Sequence, residues 1–285
     1  MKDLLRTSDL SPGDLTLLLD LAARFKREPY QHRTELQNES VSLYFNKPST
    51  RTRISFETAI VRLGGVPIMM GPSDLQLGRG ETIEDTARVI SRYSRAFVIR
   101  TFKDEDVRRF AAAASVPVIN ALTDDHHPCQ SVADLLTLRE KTGGLAGRSI
   151  AFVGDASNNV ARSLLEACAL TGVRIVVCGP PSLLPAPEVL AAVRALAAQR
   201  GAEVTATEDP AEAVRGVDAV YTDVWLSMGD PEEERAARFK LMAPYQVNAA
   251  LMRRARPDAI FMHCLPDHRG EEVTAEVVDG PQSVV

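Results

Sequence analysis

The sequence predicts an α/β fold of two domains, each a parallel sheet flanked by helices, with a linking helix between them. Three observations point there. Short apolar runs of strand length alternate with segments whose apolar residues recur at helical spacing, from residue 12 to residue 266. The chain has 285 residues, which matches about two domains at roughly 100–200 residues each. One helical pattern, SVADLLTLREKTG (131–143), falls between the two stretches of alternation. The first domain is placed at 1–135 and the second at 136–285.

The elements follow in order. Ser11 is an N-cap candidate, Pro12 suits a first helical turn, and DLTLLLDLAARFK carries leucines at helical spacing. VSLYF (41–45) reads as a strand. Ser49–Leu63 reads as a helix with Ile54, Ala59, Ile60 and Leu63 near one face, stopped by Gly64-Gly65. VPIMM (66–70) is a strand, ETIEDTARVISRYS (81–94) a helix, AFVIRT (96–101) a strand, DEDVRRFAAAA a helix and VPVINA (116–121) a strand. Beyond the linking helix the grammar repeats. RSIAFVGD, RIVVCGP, AEVTATE, DAVYTDVW and DAIFMHCLP are strands; VARSLLEACALTG, PEVLAAVRALAAQRG and DPAEAVRGV are helices.

Composition narrows the function classes. A net charge of −5 argues against a nucleic-acid or anionic-membrane partner. Residues 1–140 are neutral overall, so the first half is basic relative to the second, which suits an anionic ligand there. The four cysteines show no zinc spacing, and Cys168 and Cys178 sit in apolar runs as core thiols. The N-terminus is too charged for a signal peptide and no run of about 18 apolar residues occurs, so a cytoplasmic protein is expected.

In open parallel sheets ligands bind beyond the carboxyl ends of the strands. After the first strand comes Lys47-Pro48-Ser49-Thr50-Arg51-Thr52-Arg53 at the start of a helix. Unpaired helix N–H groups, hydroxyls and guanidiniums together make a phosphate cradle; the alternative is a helix cap followed by a solvated basic turn. Arg51 and Arg53 cannot both face one ligand, so one of them is structural. Arg100 closes an apolar strand, where burial would demand an anion; the alternative is an exposed strand end. TDDHHPCQ (123–130) follows the fourth strand. Its adjacent histidines diverge and lack a third ligand, so a neutral histidine beside Gln130 is expected rather than a metal site. GDASNNV (154–160) joins a strand to a helix without GxGxxG, which disfavours a dinucleotide. Asn158 and Asn159 either hold a zwitterionic ligand or cap the helix. Asp223 can accept from an ammonium group, and Ser227 and Met228 can bind an amino-acid head group. The cleft between the domains would then bring an anion and an amine together.

KPSTRTR (47–53), QLGRGET (76–82), IRTF (99–102), HPCQ (127–130), GDASNNV (154–160), DVWLSMG (223–229) and HCLP (263–266) stand in the order and spacing of a known family. The chain resembles the ornithine carbamoyltransferases over nearly its whole length. STRTR marks carbamoyltransferases broadly, while HPCQ, SMG and HCLP point to ornithine rather than aspartate. The resemblance implies transfer of the carbamoyl group of carbamoyl phosphate to the δ-amino group of L-ornithine, giving citrulline and phosphate. Ser49, Thr50, Arg51, Thr52 and Arg100 would bind the phosphate. Thr52, Arg100, His127 and Gln130 would hold the carbamoyl group, and Gln76 would reach the phosphate site of a neighbouring subunit. Asn159, Asp223, Ser227 and Met228 would bind ornithine, with Cys264 and Leu265 near the reacting amine; Arg100, His127, Asp223 and Cys264 would carry the chemistry. It implies a homotrimer or multiple of trimers, no metal and no organic cofactor. The alternatives are a carbamoyltransferase for putrescine or an acylated ornithine, or a weakened homologue that only binds. Two departures stand out. GDASNNV carries one residue more than the common GDGNNV form. The family continues past the equivalent of DGPQSVV through an Asp/Glu-Ala-Glu-Asn-Arg run and a final helix; either the chain is truncated or incompletely represented, or it is a divergent member, and a true truncation would remove one anion contact and expose apolar surface on the first domain.

Overall fold

The computed structural model describes residues 1–77, 80–226 and 235–285. It divides into two compact units, Met1–Val132 and Ala133–Val285.

The first unit carries a parallel sheet in the order β2-β1-β3-β4, formed by β1 (Ser40–Phe45), β2 (Val66–Met70), β3 (Ala96–Arg100) and β4 (Val118–Leu122). Helix α1 (Pro12–Arg27) starts with a capping box in which the Ser11 hydroxyl accepts from Asp14 N–H and the Asp14 carboxylate accepts from Ser11 N–H. Helices α2 (Arg51–Arg62), α3 (Ile83–Ile90) and α4 (Asp104–Ala113) make the crossovers. Two apolar clusters sit on the sheet, one around Phe97, Ile99, Val107 and Phe110, the other around Val41, Leu43, Ile60 and Val98. Helix α5 (Pro128–Thr142) spans the division between the units.

The second unit carries a parallel sheet in the order β7-β6-β5-β8-β9, from β5 (Ser149–Val153), β6 (Arg174–Cys178), β7 (Val204–Thr207), β8 (Ala219–Thr222) and β9 (Ile260–His263). Its helices are α6 (Asn159–Thr171), α7 (Pro187–Ala198), α8 (Pro210–Ala213), α9 (Arg235–Met242), α10 (Ala249–Met252) and α11 (Ala275–Val278). Helix α6 is buried along most of its length, and Gly172 ends it at φ 78°, a left-handed stop that glycine adopts without penalty. Cys168 and Cys178 are fully buried, as their apolar runs require.

All the strands and helices expected from the alternation are present, most trimmed by one to three residues at their ends. Two differences have physical causes. The second helix begins at Arg51, not Ser49, with Thr50 already helical and making no side-chain cap bond, because Pro48-Ser49 continues the loop from β1. Its buried face is only in part the expected one. Ile60 is buried, but Ile54 is 56% exposed and Ala59 is exposed. Strand β2 lies at the sheet edge, with Val66 and Ile68 exposed beside it, so this side of the unit leaves apolar positions uncovered. Helices α9, α10 and α11 carried too short or too mixed a pattern to be read from sequence.

In each sheet the strand order reverses once, between β1 and β3 and between β5 and β8. At such a switch point the two crossover helices leave to opposite faces and open a crevice beyond the strand ends.

Candidate active site

The first crevice lies beyond β1 and β3. Phe45 pairs with Arg100 at the carboxyl ends of these strands, so the Asn46–Thr52 segment and Arg100 emerge side by side. Arg100 is only 5% exposed. Among the described residues it meets no carboxylate. The one hydrogen bond of its guanidinium among the described residues is from Nη1 to Thr52 Oγ1 at 3.4 Å, and its Nε is buried without a partner. Burial, then the neighbouring Arg51 charge, lowers its pKa to about 10. A guanidinium kept out of water with no counter-ion, and pushed by a second guanidinium, is a site that wants an anion. Arg51 itself is exposed. Arg53 pairs with Glu57 at 3.1 Å one turn along α2. Next to the loop lies a cavity of about 590 Å³ whose lining includes Asn46, Lys47, Ser49, Arg53 and Asp74.

The two histidines separate cleanly. His126 is turned to Asp104, with Nδ1 2.6 Å from Oδ2, and Asp104 also accepts from the Thr123 hydroxyl. His127 is held differently. Its backbone oxygen accepts from Gln130 N–H at 3.1 Å and Ser131 N–H at 3.3 Å, which fixes it at the start of α5. Burial and the Arg100 charge lower its pKa to about 3, so it is a neutral imidazole at physiological pH. Lys47 ties the same loops together. It pairs with Asp124, and its Nζ lies 4.6 Å over the Phe102 ring. Gln76 is exposed on the segment between β2 and α3.

The second crevice lies beyond β5 and β8. Asn158 caps α6 through Oδ1 and Ala161 N–H at 2.8 Å, and its amide donates to Asp223 Oδ2 at 3.0 Å. The capping reading of this asparagine therefore holds, and its second amide atom is spent on Asp223. Asn159, the first residue of α6, is half-buried. Asp223 is buried; its Oδ1 accepts from Val224 N–H at 2.8 Å and from the Cys264 thiol at 3.1 Å. Burial raises its pKa against the opposing pull of His263 and these hydrogen bonds. Burial and Asp223 also hold the Cys264 thiol well above the ordinary range, so it is a neutral donor and not a thiolate.

His263 closes β9. Its Nδ1 accepts from Leu265 N–H at 2.8 Å and its Nε2 lies 3.2 Å from Glu272 Oε1, so the ring proton sits on Nε2. That contact holds Leu265 at φ 58°, a conformation a branched side chain adopts only under constraint. Asp223, His263 and Cys264 bring ligand-type atoms within 4.8 Å of one another. Each is already engaged by the partners above, and a metal ion would have to displace them. Ser227 and Met228 lie outside the described residues.

Sequence reasoning missed three participants. Asp155 accepts from Ser157 N–H at 3.0 Å and from the Ser157 hydroxyl at 2.6 Å, shaping the turn ahead of Asn158. Arg238 pairs with Asp155 and donates through Nε to Trp225 O at 2.9 Å. Tyr221 donates to Asp134 Oδ1 at 3.3 Å. Asp155 had a visible signal, as the last residue of a strand that opens a loop. Arg238 had none, since nothing in EEERAARFK sets one arginine apart from its charged neighbours.

The chain is thus a two-unit parallel α/β protein with a buried arginine at the strand ends of one sheet and a buried carboxylate at the strand ends of the other. Comparison with known proteins agrees. Residues 2–140 match the carbamoyl-P binding domain of aspartate/ornithine carbamoyltransferases, and residues 146–285 match their Asp/Orn binding domain. The chain belongs to the aspartate/ornithine carbamoyltransferase family. It is 50% identical to the ornithine carbamoyltransferase of Acidothermus cellulolyticus over 285 residues, all of this chain and 91% of the relative. It is 48% identical to that of Bacillus subtilis, over 100% of this chain and 88% of the relative. The solved ornithine carbamoyltransferase of Pyrococcus furiosus superposes with a TM-score of 0.95 at 44% identity, covering 100% of this chain and 91% of the other.

Proposed function

We propose that this protein transfers the carbamoyl group of carbamoyl phosphate to the δ-amino group of L-ornithine, giving L-citrulline and phosphate. The observation that carries the reading is the pairing of Arg100, a buried cation lacking a counter-ion, with the neutral His127 at the strand ends beside Ser49–Thr52. Carbamoyl phosphate supplies the missing dianion. Its phosphate is held by Ser49, Thr50, Arg51, Thr52 and Arg100. Its carbonyl oxygen gains charge as the amine attacks, and Thr52, Arg100, His127 and Gln130 stabilise it. Such donors are worth roughly 3–4 kcal/mol each in comparable oxyanion sites. A neutral His127 donates to that oxygen without adding a second full charge beside Arg100.

Ornithine is held in the second unit by Asn159, Asp223, Ser227 and Met228, with Cys264 and Leu265 beside its δ-amine. The ammonium form has a pKa of about 10.4, by analogy with lysine, and must lose a proton before it attacks. Asp223 receives it, a role supported by the rise of its pKa on burial and by its hydrogen bonds from Asn158 and the Cys264 thiol. Phosphate leaves as a dianion into the cradle, and the reaction needs no cofactor. Ornithine is the amine named for the relatives across the full length of this chain, and putrescine or an acylated ornithine is not favoured. The protein works in arginine metabolism in the cytoplasm, as a homotrimer or multiple of trimers in which Gln76 reaches the neighbouring phosphate site. Among the described residues no helix is long and apolar enough to cross a membrane.

The test is citrulline formation by the purified chain with ornithine, putrescine and aspartate as competing amines. Ornithine-specific turnover supports the reading. Faster turnover of putrescine, or none with any amine from a folded protein, overturns it.

A further inference from the structure

We propose that Arg238 is a positioning residue for the ornithine subsite, one guanidinium that fastens the two loops between which Asp223 is held. This rests on the assignment of Asp223 to ornithine.

Arg238 lies on α9, and its side chain is 24% exposed. It works in two directions. Its Nη2 meets Asp155 Oδ2, in the loop that leaves β5. Its Nε donates at 2.9 Å to the backbone oxygen of Trp225, in the segment that leaves β8. The planar fork of arginine suits such divergent acceptors; a lysine ammonium on its flexible stem does not hold both with the same geometry.

Each tether leads to the same carboxylate. On one side, the other oxygen of Asp155 accepts from Ser157 N–H and Oγ, which sets the turn delivering Asn158. The Asn158 amide then fixes Asp223 Oδ2 at 3.0 Å. On the other side, Trp225 is two residues from Asp223 and is 3% exposed. Its ring packs edge-on against Phe239 at 5.4 Å, next to Arg238 in α9. Asp223 is therefore held between two loops joined through Arg238. The loop after β5 carries the extra residue seen in GDASNNV, and in this chain it is braced by the Asp155–Ser157 turn with Ala156 buried beneath it.

Arg238 has no place in carbamoyl phosphate binding under this proposal, so its loss should act on one substrate. The experiment compares the parent chain with Arg238→Lys, Arg238→Met and Asp155→Asn, measuring kcat, both KM values and Tm. Loss of a charge-assisted tether should raise the ornithine KM about tenfold, with the carbamoyl phosphate KM within about twofold of the parent. Arg238→Lys, which keeps the charge and much of the stem, should retain Tm and still show the ornithine defect. An ornithine KM within about twofold of the parent in Arg238→Lys and Asp155→Asn overturns the proposal. So does an equal rise for both substrates in Arg238→Lys at unchanged Tm. Failure of the parent chain to form citrulline would instead overturn the assigned function, and it is read in the same assay before any variant.

Discussion

The Asn158 side chain uses both ends of its amide: Oδ1 caps α6 through Ala161 N–H at 2.8 Å, and Nδ2 donates to Asp223 Oδ2 at 3.0 Å. The cap fixes the direction of the amide, because a flipped group would set an NH₂ against a backbone N–H and a carbonyl against a carboxylate. The helix cap thereby orients a hydrogen bond to the buried acid.

The two roles can be separated. Serine retains capping ability but cannot reach the carboxylate with a second donor. Asn158→Ser should keep stability within about 1 kcal/mol of the parent while raising the ornithine KM severalfold, the effect of one lost hydrogen bond to a charged group. Asn158→Ala should lose the cap as well and melt lower. Thermal melts beside steady-state kinetics separate these outcomes, and a Ser variant with parental ornithine kinetics would remove Asn158 from the subsite.

His127 gives a pH prediction with a definite sign. Its pKa falls from 6.5 to about 3 through burial and Arg100, so the native state binds fewer protons than the unfolded state between those values. Stability should therefore fall as pH drops from about 6.5 towards about 3, and His127→Gln should lessen that loss. The His127 ring resonances should not titrate between about pH 5 and about pH 8, where an unperturbed histidine would. A titration midpoint near pH 6.5 would show that the imidazole is not held neutral by its surroundings. His127→Gln should also lower kcat far more than it raises either KM, since the donor acts on charge that develops during the reaction.

The fold was legible because its signals are local. Each crossover pairs a short apolar run with a helical stretch, and Gly172 or Gly64 marks a stop. What failed was the part that depends on neighbours. Ile54 and Ala59 were expected on one buried face with Ile60 and Leu63, but α2 packs on the edge strand β2, and of the four only Ile60 is buried. The concentration of donors in STRTR was legible because it lies in one run, whereas the burial of Arg100 was not, since only the sheet decides whether a strand end is wet. His126 and His127 are indistinguishable in the string HHPCQ; Asp104, 22 residues from His126, separates them. Arg238 was illegible for the same reason. Its partners Asp155 and Trp225 lie 83 and 13 residues away.

Arg100 is buried and meets no carboxylate among the described residues. A buried guanidinium without a carboxylate is costly, and replacing it with an apolar group of similar length relieves that cost. Arg100→Met should raise the stability of the ligand-free chain by about 1 kcal/mol while abolishing carbamoyl transfer. Phosphate at about 100 times its dissociation constant should stabilise the parent by roughly 2.7 kcal/mol, and this increment should vanish in Arg100→Met. Melting curves with and without phosphate test both statements. A phosphate-induced rise in Tm that survives the substitution would place the anion elsewhere.

Gly179 tests how closely the loops of the second sheet fit. It follows β6, and a methyl group there would lie 2.3 Å from the backbone oxygen of Gly154, which follows β5. Backbone cannot give way as a side-chain tip can, and Gly154 is itself constrained, with φ 138° and its N–H donating to Cys178 O at 2.8 Å. The strain of Gly179→Ala must therefore pass into the loop that carries Asp155 and Asn158. The expected result is a loss of about 1–3 kcal/mol, together with a rise in the ornithine KM that the carbamoyl phosphate KM does not share. Gly144 is the control, since a methyl group there meets nothing within 4 Å. Gly144→Ala should leave both KM values unchanged, and a Gly179→Ala variant that behaves like it would show that the loop after β5 tolerates displacement without disturbing the hold on Asp223.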